Sequence, residues 1–302
     1  MWPVKETDTL KHGIIVSFNS GFVTVVDESD GKEILCSLRG RFKITGTKPL
    51  VGDRVEYIIE GDRGRVESIL PRHNVLERPR VSNVDQAVAV FSISTPMVPL
   101  SIVDRTIANI SKTLTDILVV LNKIDITEDS KVEEFKKIYS IYKVFPVSAH
   151  LGTGIEDLRK HLANKISVFA GPSGVGKSSI INSLLSANLK TGDLSKTNFG
   201  KHTTTAVSLL KIEGGGFVLD TPGFTTVEFG DIRPEEVQKL FPEIFNASKK
   251  CLFDDCVHDL EPGCHVKELV QSGMIPKSRY ENYLSILREV RDEKEGKFEK
   301  KR

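Results

Sequence analysis

The stretch Gly171-Pro-Ser-Gly-Val-Gly-Lys-Ser178 matches the pattern G-x-x-x-x-G-K-S and decides the fold of the central part of the chain. A β-branched and aromatic run, residues 165–170, precedes it, and an apolar helical pattern, residues 180–185, follows it. This context predicts a loop whose backbone N–H groups bind phosphates, with the lysine as a point charge and the serine hydroxyl within reach of Mg²⁺. The residues predicted to contact the nucleotide here are Gly171, Gly174, Val175, Gly176, Lys177, Ser178 and Ser179.

A second motif, Asn122-Lys-Ile-Asp125, follows the apolar run of residues 116–121. The Asp125 carboxylate can accept hydrogen bonds from N1–H and the 2-amino group of guanine, whereas adenine lacks that pair of donors. We expect the Lys123 stem to lie along the ring and Asn122 to tie neighbouring loops together. Ser148-Ala149 ends another strand pattern, where a small residue lets a backbone N–H approach guanine O6. Because ligands bind at the carboxyl ends of parallel strands, these motifs predict binding of GTP or GDP.

Two segments after the phosphate loop predict sites that respond to the γ-phosphate. The first is Gly200-Lys-His-Thr-Thr-Thr205, where we expect Thr204 to ligate Mg²⁺, with Thr203 or Thr205 as alternatives. The second ends in Asp220-Thr-Pro-Gly223. Asp220 is predicted to hold a Mg²⁺-bound water, and Gly223 to offer its backbone N–H to the γ-phosphate.

Composition limits the classes of function. The chain has 302 residues, enough for two or three domains, and its 39% apolar and 27% charged content is ordinary for a soluble protein. The net charge of +1 excludes a globally basic nucleic-acid binder, so any RNA contact must use a local patch. The apolar runs are far shorter than the about 18 residues of a membrane helix, and Lys5, Glu6 and Asp8 do not fit a signal peptide. We therefore expect a cytoplasmic protein that makes no membrane contact.

Residues 10–70 alternate short β patterns with turn residues. Five strands over this length predict a small β-barrel of the OB-fold type, whose exposed face and loops commonly bind RNA. The candidate RNA patch consists of three basic residues and one aromatic residue for stacking: Arg39, Arg41, Lys43 and Phe42. A solvated charged loop is the alternative. Cys36, in a strand pattern, is expected to be a buried structural thiol.

Three of the four cysteines are crowded into residues 251–264, with a histidine between them. The spacing C-x₄-C-x-H-x₅-C supplies three thiolates and one imidazole, the full tetrahedral set for a structural Zn²⁺ ion. The predicted ligands are Cys251, Cys256, His258 and Cys264. His265 is a substitute for the fourth ligand, and isolated buried thiols are the alternative to a metal site. Helical patterns flank this cluster at residues 234–245 and 277–302.

The order of the motifs differs from the usual one. In ordinary small GTPases the phosphate loop comes first and the guanine motifs last, whereas here the motifs at 122 and 148 precede those at 171, 203 and 220. With an N-terminal barrel and a C-terminal Cys/His cluster, the chain resembles the YjeQ/RsgA family of circularly permuted, ribosome-associated GTPases over nearly its whole length. The resemblance implies an OB-fold, GTPase and zinc-domain architecture. It also implies binding to the small (30S) ribosomal subunit and its rRNA, in late maturation of that subunit.

The predicted architecture divides the chain into three domains. Residues 1–71 form an RNA-binding OB-fold, residues 72–228 a central α/β GTPase domain with a circularly permuted motif order, and residues 229–302 a zinc-binding helical domain. The segment after Asp220 then runs directly into the zinc-binding domain, so a segment predicted to respond to the nucleotide is connected directly to that domain. We expect a monomer.

Catalysis depends on a residue that orients water. Phe224 occupies the position after Gly223, where many GTPases carry a glutamine, so intrinsic hydrolysis is expected to be slow. His202 is the nearby side chain able to orient or polarise water, consistent with the family resemblance, and an ordinary loop histidine is the alternative. Lys177 and Thr204 complete the predicted catalytic set.

Two hypotheses of function follow. The first is a GTP-hydrolysing switch that is stimulated by a ribosomal particle. The second is a zinc-stabilised RNA-binding module whose nucleotide pocket senses GTP but contributes little catalysis. The presence of Lys177, Ser178, Thr204 and Asp220 favours the first, because a pocket without turnover would not need the Mg²⁺-binding residues.

Overall fold

Five short strands near the start of the chain close into a barrel, as the sequence predicts. In the computed structural model these strands are β1 (Lys11–Asn19), β2 (Phe22–Asp27), β3 (Glu33–Leu38), β4 (Arg54–Glu60) and β5 (Arg63–Ile69), in the order β1-β2-β3-β5-β4. Their inward side chains form an apolar core that includes Ile15, Val23, Val55 and Tyr57. Cys36 is fully buried in this core, as predicted, and burial raises the pKa of its thiol to about 11.

The structure describes residues 9–19, 21–38, 48–77, 79–114, 116–185, 207–220, 229 and 231–299. Contacts divide the chain into two compact units. The first contains Met1–Asp85, Arg159–Val168 and Leu184–Thr221, and the second contains Gln86–Leu158, Phe169–Ser183 and Pro222–Arg302. The predicted RNA patch of residues 39–43 lies outside the described residues.

The connector that follows the barrel, residues 71–84, contains regular structure. It contains a small hairpin of β6 (Val75–Glu77) and β7 (Arg80–Ser82). The buried Asp53 carboxylate of the barrel accepts hydrogen bonds from Arg72 at 2.6 and 2.8 Å and from the Ser82 hydroxyl at 2.6 Å. These bonds fix both ends of the connector hairpin to the barrel.

A parallel sheet carries the guanine motifs in the second unit. Strands β8 (Gln86–Phe91), β9 (Ile117–Leu121) and β10 (Lys143–Pro146) pair in parallel in the order β10-β9-β8. The connections contain α1 (Leu100–Ser111), a 3₁₀ turn (Ile124–Ile126) and α2 (Asp129–Ile138). Each residue of β8 and β9 is buried, as expected of strands that are covered on both faces.

The phosphate-loop region follows the predicted order of strand and helix. Helix α3 (Ile155–Leu162) leads into β11 (Ile166–Ala170), and α4 (Lys177–Leu185) begins at the motif lysine. Further on, β12 (Leu210–Lys211) pairs antiparallel with β13 (Phe217–Asp220) in the first unit. Strand β12 is short, because its register with β13 is limited to Leu210 and Lys211.

The C-terminal module is helical, with one correction to the sequence analysis. The single helix predicted over residues 234–245 is a 3₁₀ helix (Pro234–Leu240) followed by α5 (Pro242–Ser248). Pro242 lacks a backbone N–H and forces Phe241 into an extended conformation, which ends the first segment. Helices α6 (His265–Gln271) and α7 (Lys277–Glu299) complete the module. Among the described residues, no helix combines the length and the apolar content needed to cross a bilayer.

A buried ionic cluster joins this module to the α-helical layer of the second unit. Arg279 of α7 is completely buried and donates to Asp104 of α1 at 2.7 Å and to both carboxylate oxygens of Glu243 at 2.7 and 3.1 Å. Asp104 also accepts from Tyr139 at 2.8 Å and from Asn282 at 2.5 Å. The two carboxylates hold the pKa of Arg279 well above its usual range, so it stays cationic.

Replacing Arg279 tests how strongly this cluster holds the second unit together. Arg279→Met leaves the buried Asp104 and the partly buried Glu243 without their counter-charge, so we expect the free energy of unfolding to fall by about 3–5 kcal/mol in urea titrations. Arg233→Met is the matched control, because Arg233 pairs with Glu236 at the solvent-exposed surface, and we expect little change. Equal stability of both variants would contradict this role.

Candidate nucleotide and metal sites

The predicted phosphate loop lies between β11 and α4. The Lys177 side chain folds back across the loop, where its ammonium donates to the carbonyl oxygens of Gly171 and Pro172, both at 2.9 Å. Lys123 reaches the same loop from another strand end and donates to the carbonyl oxygens of Gly174, at 2.9 Å, and Thr95. Two cations thus lie against one loop, a favourable arrangement for binding phosphate.

Asn122 connects this loop to the two guanine motifs. Its side-chain amide donates to the Val175 carbonyl at 2.8 Å, and its side-chain oxygen accepts from the Ala149 N–H at 3.1 Å. Asn122 is 2% exposed, so both bonds are shielded from water. Gly176 permits this approach, because a Cβ atom there would lie 2.2 Å from the Asn122 amide nitrogen. The Asn122 side chain therefore holds the phosphate loop and the second guanine motif together.

The predicted residues line a common cavity of about 450 Å³, a size suited to a small-molecule ligand. Its wall consists of two further residues, Ile126 and His150, and six residues of the predicted nucleotide set: Asn122, Lys123, Asp125, Ala149, Gly176 and Ser179. Ile126 and His150 lie outside the predicted contact residues. Each directly follows a predicted motif residue in the sequence, and this adjacency is the signal from which their place in the cavity wall could have been predicted.

The Asp125 carboxylate lies at the exposed side of this cavity. A hydrogen bond from the Ser148 hydroxyl lowers the pKa of Asp125, and the nearby His150 and Lys123 act in the same direction. Ser148 is fully buried and its hydroxyl oxygen also accepts from the Leu151 N–H at 3.1 Å. Ser148 therefore positions an ionised acceptor next to the cavity.

Several predicted residues cannot be placed in this way. Thr203, Thr204, Thr205, His202, Gly223 and Phe224 lie outside the described residues. Asp220 is the last residue of β13, and only its backbone is described. Their roles remain predictions from the sequence.

The four predicted zinc ligands converge on one point. The His258 Nδ1 atom lies 3.3 Å from the Cys256 sulfur, 3.4 Å from that of Cys264 and 3.6 Å from that of Cys251. The sulfur atoms of Cys251 and Cys264 are 3.9 Å apart. Around a tetrahedral zinc ion, such nitrogen–sulfur and sulfur–sulfur distances are about 3.6 and 3.8 Å. The geometry and donor chemistry of the cluster therefore fit one structural Zn²⁺ ion.

Surrounding bonds orient this ligand set. The other ring nitrogen of His258, Nε2, lies 3.1 Å from the side-chain oxygen of Gln238, which fixes Nδ1 as the ligand atom. Burial lowers the pKa of His258, keeping it neutral, and raises that of Cys256 to about 12. A divalent cation must therefore displace the thiol protons. His265 instead pairs with Glu268 at 3.1 Å and is not part of the cluster.

The loop between the ligands is held by side chains of its own module. The Glu261 carboxylate accepts from the backbone N–H groups of Val257 at 2.9 Å and Asp259 at 2.8 Å. The Tyr283 hydroxyl of α7 donates to the Val257 carbonyl at 2.7 Å. His258 has a φ angle of 63°, an uncommon conformation for a non-glycine residue, and these bonds retain it there.

A parallel sheet with a phosphate loop and guanine motifs at its strand ends, in permuted order, defines a P-loop GTPase. The model of the RsgA GTPase family matches residues 69–230, and that of the RsgA N-terminal domain matches residues 12–65. The chain belongs to the RsgA GTPase family.

Relatives and solved structures agree with this membership. The "Small ribosomal subunit biogenesis GTPase RsgA" of Thermotoga neapolitana is 45% identical, over 93% of this chain and 97% of that protein. The protein of the same name from Caldanaerobacter subterraneus subsp. tengcongensis is 42% identical over 95% and 98%. The crystal structure of YjeQ from Thermotoga maritima has a TM-score of 0.80 and 42% identity over 93% and 99% of the two chains. That of YloQ, described as a circularly permuted GTPase, has a TM-score of 0.80 and 33% identity over 96% and 98%.

Replacing one thiolate tests the metal site. In Cys256→Ser we expect bound zinc to fall from about one ion per chain to well below that value, because the tetrahedral set loses a ligand. The C-terminal module should unfold at lower urea concentration, while GTP binding is mostly retained. Cys36→Ala removes the other cysteine and should leave the zinc content unchanged. Elemental analysis that finds no zinc in the wild-type protein would refute the assignment.

Proposed function

We propose that this chain is a GTP-hydrolysing switch that binds the small ribosomal subunit and assists its late maturation. The cavity that joins the guanine motif to the phosphate-loop helix is the observation that carries the enzymatic part. The names of the relatives, small ribosomal subunit biogenesis GTPases, support the choice of particle.

Within this proposal, Asp125 reads the N1–H and 2-amino edge of guanine, and Lys123 lies along the ring. The loop residues Gly171 to Ser179 bind the phosphates through backbone N–H groups and the Lys177 ammonium. Magnesium, when bound, would be held by Ser178 and Thr204 and would neutralise charge on the phosphates. Asp220 and Gly223 complete the predicted set on the γ-phosphate side.

Hydrolysis in this proposal depends on His202, since Phe224 has no hydrogen-bonding group to orient water. A basal rate that is slow by itself suits a switch whose partner completes the catalytic arrangement. We further propose that residues 1–71, 72–228 and 229–302 are the three domains, that the protein is a cytoplasmic monomer, and that the barrel contacts rRNA. The ranges matched by the two family models support this division.

Co-sedimentation with purified 30S particles tests the whole proposal. We expect tighter binding with a non-hydrolysable GTP analogue than with GDP, and faster GTP turnover in the presence of the particles. Binding that is independent of nucleotide, without stimulation, would leave a slow GTPase with another partner. Turnover that stays minor even with particles would favour the nucleotide-sensing RNA-binding module.

Base selectivity can be tested at one residue. The Asp125 carboxylate accepts hydrogen bonds from two donor groups of guanine, and Asp125→Asn replaces it with an amide. We therefore expect the affinity for GTP to fall on the order of 100-fold and the base preference to shift toward xanthosine nucleotides. Fluorescent-nucleotide titrations measure both effects. Asp129→Asn, at the start of α2, is the control and should bind GTP normally. Equal affinity of the wild type for ATP and GTP would contradict the assignment.

Catalysis and binding can be separated by two substitutions. His202→Ala should lower kcat on the order of 100-fold with little change in GTP affinity, because an orienting group acts mainly in the transition state. Lys177→Ala should instead weaken nucleotide binding, because it removes a charge that contacts phosphates in the ground state. His12→Ala, on the barrel, is the control for loss of an imidazole. An unchanged kcat in His202→Ala would remove this residue from the mechanism.

A further inference from the structure

The short hairpin of β12 and β13 is hydrogen-bonded to the barrel within the first unit. The Leu209 N–H, just before β12, donates to the Val16 carbonyl of β1 at 2.9 Å. Val16 is the extra residue of a β-bulge, because Ile15 pairs with Val25 and Ser17 pairs with Thr24. A bulge leaves one residue outside the ladder, so the Val16 carbonyl is available to the hairpin.

A second contact joins β12 to the turn between β2 and β3. The Lys211 ammonium donates to the Gly31 carbonyl at 2.9 Å. Both residues line a cavity of about 480 Å³, whose wall also includes Arg54 of the barrel and Phe217 of β13. The hairpin therefore contacts the barrel at two separate places.

The turn that receives Lys211 is built around a buried carboxylate. Asp27 is 2% exposed and accepts from the Ser29 N–H at 2.7 Å, from Lys11 at 3.1 Å and from the Tyr57 hydroxyl. These donors hold the pKa of Asp27 well below its usual range despite burial. Backbone bonds from Asp27 to Lys32 and from Gly31 to Asp27, both 2.9 Å, close the turn. These bonds therefore fix the position of the Gly31 carbonyl.

Strands β11 and β13 both end at predicted nucleotide contacts. Hydrogen bonds within the same unit hold the first residue of each strand. Ile166, the first residue of β11, exchanges two bonds with Asp85 of the connector, at 2.9 and 2.7 Å. The Phe217 N–H of β13 donates to the Lys165 carbonyl at 2.8 Å. Strand β11 leads to the phosphate loop and β13 ends at Asp220, so both strands are held at their first residues by bonds within the first unit.

We propose that the Lys211–Gly31 and Leu209–Val16 contacts couple the barrel to the nucleotide state. Leu209 follows the Thr203–Thr205 segment by only a few residues, and β13 runs into the segment after Asp220, so a rearrangement of either segment acts on the hairpin. The inference rests on the proposed function, because it assigns the two segments a response to GTP. By linkage, RNA bound to the barrel shifts GTP affinity by the factor with which GTP shifts RNA affinity.

Hydrogen exchange of the full-length protein tests the coupling without any ribosomal particle. With a non-hydrolysable GTP analogue against GDP, we expect amide exchange in residues 27–32 to differ about 5-fold or more in the wild type. In Lys211→Ala this difference should shrink about 5-fold, because one hydrogen bond of the link is lost. Lys32→Ala is the matched control, since Lys32 pairs with Asp30 inside the same turn and should retain the full difference.

A pair of glycine substitutions tests the same link from the barrel side. Gly31 has a φ angle of 69°, and a Cβ atom there would lie 2.1 Å from the Lys211 ammonium, so Gly31→Ala should displace the lysine. Gly61 has a φ angle of 63° with no atom within 4 Å of such a Cβ, so Gly61→Ala carries similar backbone strain without the displacement. Only Gly31→Ala should reduce the nucleotide dependence of exchange.

The results of these experiments distinguish a failure of the coupling from a failure of the proposed function. Exchange of residues 27–32 that is identical in both nucleotide states of the wild type overturns the coupling, as does an equal loss in Lys211→Ala and Lys32→Ala. In a second arm, basal GTP turnover of Lys211→Ala should stay at the wild-type level while stimulation by 30S particles falls several-fold. Nucleotide-dependent exchange in a wild type that 30S particles neither bind nor stimulate would refute the ribosomal role and support the coupling.

Discussion

The carboxamide of Asn122 is the constraint on which the nucleotide site depends. It is buried, and its two ends bind the phosphate loop at Val175 and the second guanine motif at Ala149. A buried amide is stable only when both its donor and its acceptor are satisfied, so each loop holds the other through this side chain. The cavity between the motifs exists because three strand ends are held at fixed separations by one residue.

This arrangement explains how the site tolerates a permuted motif order. Parallel strands place their carboxyl ends at one edge of a sheet whatever the order of the connections. Asn122 and Val175 are far apart in sequence and 2.8 Å apart in space, and the bond between them does not depend on which strand is made first. Permutation does change which part of the protein the chain enters after each motif. Here the chain after Asp220 continues to Phe229, which is buried in the core of the zinc-binding module.

The sequence predicted the features that are encoded locally. The five strands predicted within residues 10–70 are present, and the Cys/His spacing correctly identified a cluster of metal-binding geometry. The break at Pro242 was also readable, because proline ends a helix, but the apolar spacing around it concealed the signal. The connector hairpin was missed because Asp53 and Arg72 hold it through contacts that no local pattern shows. The pairing of Asp104 with Arg279 and of Val16 with Leu209 joins residues far apart in sequence, and propensity carries no information on such pairs.

The buried ionic cluster also affects how the chain can be completed. Asp104 lies on the first helix of the second unit, and its cationic partner lies 175 residues later, on the last helix. During synthesis from the N-terminus, the phosphate loop and both guanine motifs emerge before Arg279 does. Until then the Asp104 carboxylate lacks its counter-charge, and the cost of burying an unpaired anion disfavours the final packing of α1. The order of the charges along the chain therefore makes stable closure of the second unit depend on its last helix.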